Sequence, residues 1–441
     1  MLPDPLVLLH DGAVGTFQTL TDPPLKKQFA GHIKLGADGA DITIVASRKR
    51  DPAGQWSADP ANNNVVAGIT EAGTILAPVG RVRRTTTRGD FILPIVRWTA
   101  PTILVDAPFD EVDADTVTET SLSYLGLDSW SGNTDHRDQP IVEEGVGVVG
   151  WRIEIENQTA ESSAIGDGYH LAIRHGWTVS GPYDNRSLRK PLVLELRSED
   201  RRPLSQHVSR LDALHALLSV AHRKPVTAVK GAAQLEPSSK RRAAMWDRTM
   251  MSDTVPPGPN EFPIFTLADI GNVQGVANWV GTALKHQRAV TPVVRHRLFQ
   301  NQPHQARLLS TAAALEYWVA ANARNSAAPW ARKVPKAKVP GAVASSVSSE
   351  WETWIGDTDR WATLFYRVYN LLKHSSQDVD VAVVEALEYS GRWLLTASIL
   401  DMCAGSSTAS TQIFGKGLTD IVASDVRDIL DEAPVPEDGR R

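Results

Sequence analysis

Cysteine is almost missing: Cys403 is the single one in 441 residues. One thiol cannot close an intrachain disulfide or furnish a multi-thiolate zinc site, so a reducing compartment fits best. An excess of charge of one sign is lacking as well. Forty-six basic against 51 acidic residues leave a formal charge of -5, which excludes a polybasic chain that coats nucleic acid indiscriminately but leaves room for a local basic surface. No stretch approaches the roughly 18 uninterrupted apolar residues of a membrane span. The opening MLPDPLVLLHDG has no basic n-region and meets Asp11 after a few apolar residues, unlike a secretory signal. The expectation is a soluble cytoplasmic protein with no membrane partner. The GxxxxGK[ST], GxSxG and HExxH patterns are absent, so P-loop NTPase, α/β-hydrolase and zincin chemistries lack their signatures.

What is present suffices for a large core. Hydrophobic residues make up 42% and charged residues 22% of the chain, near the globular average, and the length suits two or three domains. From residue 29 to about residue 200, short β-rich runs alternate with turn residues. GHIKLGADGADITIV reads as a hairpin turning between Gly36 and Gly39; VVAGIT, TILAPV, FILPIVRW, TILVDAPF, SLSYLGL, WRIEIE and PLVLEL read as further strands. In YHLAIRHGWTV, Tyr169, Leu171, Ile173, His175, Trp177 and Val179 share one face at period two, so His175 reads as a packed core residue rather than a ligand. Leu204, Val208, Leu211, Leu214 and Leu218 then fall at helical spacing, as for a helix lying across the sheet.

Beyond residue 265 the texture is helical, in DIGNVQGVANWVGTAL, QARLLSTAAALEYWVAANAR, DRWATLFYRVYNLLKH and DVAVVEALEYSGRWLLTASILDMCAG. The fold class expected is α+β: an antiparallel β-rich domain, sandwich or barrel-like, over residues 1–235, an irregular connection over 236–265, and a bundle of four or five helices over 266–441. The stretch APWARKVPKAKVPGAVASSVSSE reads as a basic, proline-containing loop between two of those helices.

Two local patterns mislead. GVGVVG at 145–150 matches the spacing of a dinucleotide-binding loop, yet the strand-like WRIEIENQ follows it where a helix should open, so it reads as a turn and the start of a strand. Asp135, His136 and Asp138 in TDHRD are metal-ligand types, but such short polar clusters are usually solvated turns. Thirteen tryptophans could stack on sugars, and most lie in strand or helix patterns where core packing is the default.

The pattern that carries chemistry is TDRWATLFYRVYNLLKH. Trp361, Leu364, Val368, Leu371 and Leu372 form one apolar stripe, while Arg367, Asn370 and His374 fall at i, i+3 and i+7 within one narrow arc of the same helix. Such a trio suits RNA cleavage, in which the 2′-hydroxyl attacks its neighbouring phosphate. Histidine, with an ordinary pKa of about 6.5, can remove or return the proton. Arginine offers a permanent planar cation to the phosphoryl oxygens, and asparagine can orient the phosphate or the imidazole.

Arg367-VYNLLK-His374 resembles the longest-spaced form of the R-x(4–6)-H motif of HEPN-domain ribonucleases, and Asn370 falls where their common polar residue sits. AAALEYW, containing Glu316, is similar to an upstream HEPN helix. The β-rich part resembles the N-terminal domain of ApeA-type abortive-infection proteins, through NNNVVAGITEAGTILAP, RWTAPTILVDAPFDEV, TETSLSYLGLDSWSG, RPLSQHVSRLDALHALLSVAHRKPV and FPIFTLADIGNVQGVANWV. These run in the family's order over nearly the whole chain. One departure is plain: many members have arginine immediately before the asparagine, whereas Tyr369 stands there here.

The resemblance implies an anti-phage effector that cleaves host RNA, tRNA among the candidates, without metal or cofactor, leaving a cyclic phosphate. It implies a homodimer or higher homo-oligomer in which two motifs meet, and an N-terminal domain that restrains the nuclease or senses a phage-derived trigger. His374 would be the acid/base group, Arg367 the clamp on the transition state, Asn370 the orienting group, and Glu316 a polar partner from the neighbouring helix. Arg332, Lys333, Lys336 and Lys338 would hold RNA phosphates beside the cleft. Two other readings stay open: a catalytically silent HEPN-type module that binds RNA or a nucleotide, and a carbohydrate- or protein-binding β-domain whose helical part serves oligomerisation. A sugar site needs outward aromatics, whereas Trp177 shares a face with aliphatic residues.

Overall fold

The computed structural model describes residues 5–19, 28–45, 65–78, 81–86, 94–107, 116–132, 136–155, 160–181, 187–236, 242–251, 261–294, 302–374, 379–415 and 420–434. The chain is α+β: antiparallel β-structure over residues 13–247 is followed by a helical region over 272–432. It divides into two compact units. One holds residues 1–128, 134–212 and 226–258, the other residues 129–133, 213–225 and 259–441. Among the described residues no helix is long and apolar enough to cross a membrane.

In chain order over residues 5–247, a short helix, α1 (Pro5–Asp11), precedes strands β1 (Ala13–Thr19), β2 (Phe29–Gly36), β3 (Gly39–Val45), β4 (Val65–Thr70), β5 (Gly73–Pro78), β6 (Arg81–Thr86), β7 (Pro94–Ala100), β8 (Thr102–Val105) and β9 (Thr116–Tyr124). After α2 (Asp128–Ser131) come β10 (His136–Glu143), β11 (Gly147–Ile155), β12 (Glu161–Gly166), β13 (Tyr169–His175), β14 (Thr178–Ser180), β15 (Ser187–Arg189) and β16 (Leu192–Pro203). Helix α3 (Leu204–Ala221), β17 (Ala228–Gln234) and β18 (Ala243–Asp247) complete the series. Fourteen strands join one sheet in the order β12-β13-β16-β9-β17-β18-β8-β5-β4-β1-β2-β3-β7-β6, while β10 with β11 and β14 with β15 form separate hairpins.

The sheet curls around an apolar centre. Phe17, Ile33, Ile42, Ile75, Trp98, Val105 and Trp246, from β1, β2, β3, β5, β7, β8 and β18, share one core. Phe17 fits there because its neighbours leave room: a Cβ built on Gly68 would lie 2.5 Å from the Phe17 ring, and one on Gly31 2.9 Å from it. At the other end of the sheet the alternation reads directly as burial, with Tyr169, Leu171 and Ile173 of β13 out of water. The five leucine and valine positions of α3 are buried as their spacing requires. Its His207 is fully buried and lies between Thr120 Oγ1 of β9 at 3.1 Å and Ser198 Oγ of β16 at 3.2 Å, which seats the first turn of the helix against the sheet.

The structure corrects several local expectations. Residues 243–247, read as part of an irregular connection, are strand β18 inside the sheet, where Met245 pairs with Gly231 on one side and Leu104 on the other. Alanine-rich β17 and β18 have little β-propensity, and ladder bonds on both sides outweigh it. The YHLAIRHGWTV strand stops at His175, and Val179 belongs to a different hairpin. His175 is nonetheless packed, with its side chain 5% exposed. His136 and Asp138 lie in strand β10 rather than in a turn, and Asp135 falls outside the described residues. GVGVVG is a turn followed by the start of β11, as read.

The helical unit contains α4 (Asn272–Lys285), α5 (Gln287–Val294), α6 (His304–Asn322), α7 (Val339–Ala344), α8 (Glu350–Ile355), α9 (Thr358–His374), α10 (Val381–Ala404), α11 (Thr408–Gly415) and α12 (Asp420–Glu432). These are more helices than the four or five expected: α5, α11 and α12 stand beside the four long ones, and the stretch read as a basic loop folds into two short 3-10 turns and α7, with α8 directly after it. Six-residue helices carry too little periodicity to be read from sequence. Helix α10 is buried nearly all round from Val383 to Cys403, and α4, α5, α6, α7, α9, α11 and α12 pack on it.

Two predictions follow from this packing. Gly68→Val, although it raises β-propensity, should lower the unfolding free energy by about 1–3 kcal/mol in urea titrations, because the fully buried Phe17 ring has nowhere to move. The second concerns acid. His207 and His222 are both pushed down to about 4, chiefly by burial, with Arg210 and Lys224 respectively adding repulsion. Stability from their neutral forms is complete above the unfolded value near 6.5 and is lost as pH falls toward 4. The urea midpoint should therefore fall between pH 7 and pH 4.5, and His207→Gln should flatten that fall.

Candidate functional site

Helix α9 carries the trio, and its own sequence explains how it is set. Asp357 accepts the Arg360 backbone N–H at 2.8 Å and starts the helix. Trp361, Leu364, Phe365, Val368 and Tyr369 are buried. Two contacts fix the first half of α9 on α10. The Trp361 indole N–H donates to Ser390 Oγ at 2.9 Å. The Phe365 ring lies over Gly391, where a Cβ would come within 2.5 Å of it. Arg360 reaches sideways and donates to the carbonyls of Leu430, Asp431 and Ala433, closing the end of α12.

The second half of α9 emerges toward water. Arg367 and Asn370 are half-buried and His374 is exposed. Arg367 and His374 are separated by seven residues, about 10 Å of rise along nearly one face. Leu371 and Leu372, expected in the core stripe, are only half-buried in the single chain, so the stripe outruns the surface that α6, α7 and α10 offer it. Lys373, which the sequence reading passed over, adds a further cation here: its Nζ lies 5.3 Å from the Tyr369 ring centre and 3.4 Å from the hydroxyl. Cations suit this end of a helix.

Glu316 is half-buried on α6, a helix that packs against both α9 and α10. Among the described residues no ion pair or hydrogen bond joins it to Asn370 or His374. Its neighbour Trp318 donates to Ser398 Oγ at 3.0 Å, eight residues along α10 from the serine that anchors α9, or about 12 Å. The four basic loop residues are all exposed. Arg332, Lys333 and Lys338 line a cavity whose other wall includes Asp357 and Asp359 at the start of α9. From Asp359 to His374 is 15 residues, about 22 Å of helix. Within one chain the basic loop and the histidine therefore occupy opposite ends of α9.

Residues 14–279 match the family described as ApeA N-terminal domain 1. The chain belongs to this family. Its members are anti-phage defence proteins. The match spans the β-rich structure and runs into α4, so α9 and its trio lie beyond it. No curated protein matches the chain.

Three buried polar groups in the helical unit escaped the sequence reading. Glu388 and Arg392 form an ion pair one turn apart on α10, 3.2 Å between oxygen and nitrogen, with both side chains below a tenth exposed. Burial pushes the Asp401 carboxyl up to about 6 against the hydrogen bonds it receives at the start of α11, including Ser410 N at 2.9 Å. Among the described residues no cluster of three His, Cys, Asp or Glu side chains is placed to hold a metal ion.

Because Ser390 is the acceptor for Trp361, Ser390→Ala should leave a buried indole N–H unpaired and cost about 1–3 kcal/mol of unfolding free energy. Trp361→Phe in the same background should recover part of that loss, read by chemical denaturation.

Proposed function

We propose that this ApeA-type protein is an endoribonuclease whose chemistry sits on the outer half of α9. The observation that carries the reading is the exposure of His374 at the end of a helix that also presents Arg367 and Asn370 along nearly the same face. A histidine packed against the leucines would argue against it. In the proposed reaction the His374 imidazole takes the proton of an RNA 2′-hydroxyl, the 2′-oxygen bonds to the adjacent phosphorus, and the bond to the 5′-oxygen breaks. Arg367 balances charge on the phosphoryl oxygens, and Asn370 orients the phosphate. The departing 5′-oxygen takes a proton from a second imidazole, which a second copy of the chain supplies. Products are a 2′,3′-cyclic phosphate and a 5′-hydroxyl.

The half-exposed Leu371 and Leu372 beside the trio give such a second copy an apolar surface to cover. Glu316 enters this reading only as a residue that the pairing of two copies brings nearer. Arg332, Lys333, Lys336 and Lys338 bind the RNA backbone at a distance from the scissile phosphate. The N-terminal domain holds the arrangement inactive until a phage product arrives, so that the active pairing is a minor population beforehand. The site of action is the cytoplasm, where host RNA, tRNA included, is the substrate.

The test is incubation of the purified chain with total RNA and with tRNA in EDTA, alone and in phage-infected lysate, followed by analysis of fragment ends. Cyclic phosphate ends that Arg367→Ala and His374→Ala each reduce by about 10²-fold or more are expected. RNA bound but left intact under both conditions would overturn the nuclease in favour of a silent binding module.

A further inference from the structure

The cavity at the start of α9 has a chemistry of its own. It measures about 750 Å³, within the range of small-molecule sites. One side comes from the segment of Trp330, Arg332, Lys333 and Lys338, the other from Glu352, Asp357 and Asp359. Three cations and three carboxylates thus surround one space, yet among the described residues no ion pair joins any of the six. All six are exposed, so their charges are open to a ligand entering that space. Lys333 sits at φ 50°, a left-handed backbone that a non-glycine residue adopts at a cost and that gathers at binding sites. Thr358, in the same lining, has a buried hydroxyl that finds no partner among the described residues.

We propose that this cavity binds a guanine ribonucleotide. The phosphate is met by Arg332, Lys333 and Lys338, and the half-buried Trp330 indole offers a face for the base. The carboxylates select the base. Guanine presents N1–H and N2–H donors, which Glu352 or Asp359 can accept together, whereas adenine presents an acceptor at N1 that a carboxylate repels. Among the described residues, Asp357 is the one of the three carboxylates that accepts a hydrogen bond, from the Arg360 N–H. Where the nucleotide belongs to an RNA strand, the proposal rests on the ribonuclease reading and makes the cavity a base-reading pocket about 22 Å of helix from His374. A free nucleotide has the same chemistry.

The test is binding by the full chain, read by calorimetry and by the ligand-dependent shift in Tm, with GMP, AMP, guanosine and inorganic phosphate. Two six-residue RNAs differing in a single G or A are measured beside them. GMP should bind at least about tenfold tighter than AMP, guanosine or phosphate, and R332A with K338A should weaken it by about tenfold or more. E352Q with D359N should erase the guanine preference while leaving phosphate-dependent binding. All four positions are exposed, and the Tm of the unliganded variants checks that they fold. Tighter binding of the G-containing RNA than of GMP assigns the pocket to an RNA strand, and the reverse assigns it to free nucleotide. Equal binding of guanine and adenine ligands, or phosphate alone binding as well as GMP, would overturn the proposal. Because binding is read directly, a failed cleavage assay leaves this result standing, and a cavity indifferent to guanine leaves the cleavage result standing.

Discussion

Removing α10 from water is the constraint on which the helical unit depends. A helix apolar on one stripe needs one neighbour, but a helix buried all round needs a complete sleeve, and α10 obtains it from seven other helices. Its polar residues then have to be satisfied inside that sleeve. Ser390 and Ser398 solve this by accepting the indole N–H groups of Trp361 and Trp318, so the groups that would penalise burial become the pins that fix α9 and α6. Glu388 and Arg392 neutralise one another along the same helix. Helix α9 is therefore held by its first half on α10, and its second half reaches the surface, where Lys373 and His374 are exposed.

Much of this was legible. The strands of the sheet's apolar runs, the leucine face of α3 and the four long helices announce themselves through period two or period 3.6, because one face of each is buried. Elements whose place is decided by neighbours far along the chain do not. Residues 228–234 and 243–247 are poor in side chains that mark a strand, and become one by lying between two others. Glu119 and Glu195 alternate like solvent-facing residues, yet both are buried: Glu195 pairs with Arg174 and Arg197, Glu119 with Arg197 and Arg242. No single strand contains that network.

The site divides in the same way. Arg367, Asn370 and His374 are visible as a group because helical geometry alone brings them to one face. Whether Glu316 and the basic loop join them depends on how α6 and residues 330–345 pack, and there the sequence is silent. The loop turns out to stand with Glu352, Asp357 and Asp359 at the other end of α9. Opposite charges that are 14 or more residues apart in the chain give no signal of sharing a wall.

The position of β18 has a consequence for how the protein is made. Strand β8 is complete once Val105 is synthesised, but its outer neighbour is β18, and the bond from Thr102 Oγ1 to Asp247 Oδ2, 2.6 Å long, spans 145 residues. At ribosomal speeds of about 5–20 residues per second, that edge waits on the order of 10–30 s for its partner. During this time an all-buried run of Thr-Ile-Leu-Val presents unpaired backbone groups, the condition under which nascent strands stick to one another or require a chaperone. The two halves of the large sheet are joined only after β18 emerges, and every residue of α9 leaves the ribosome later still.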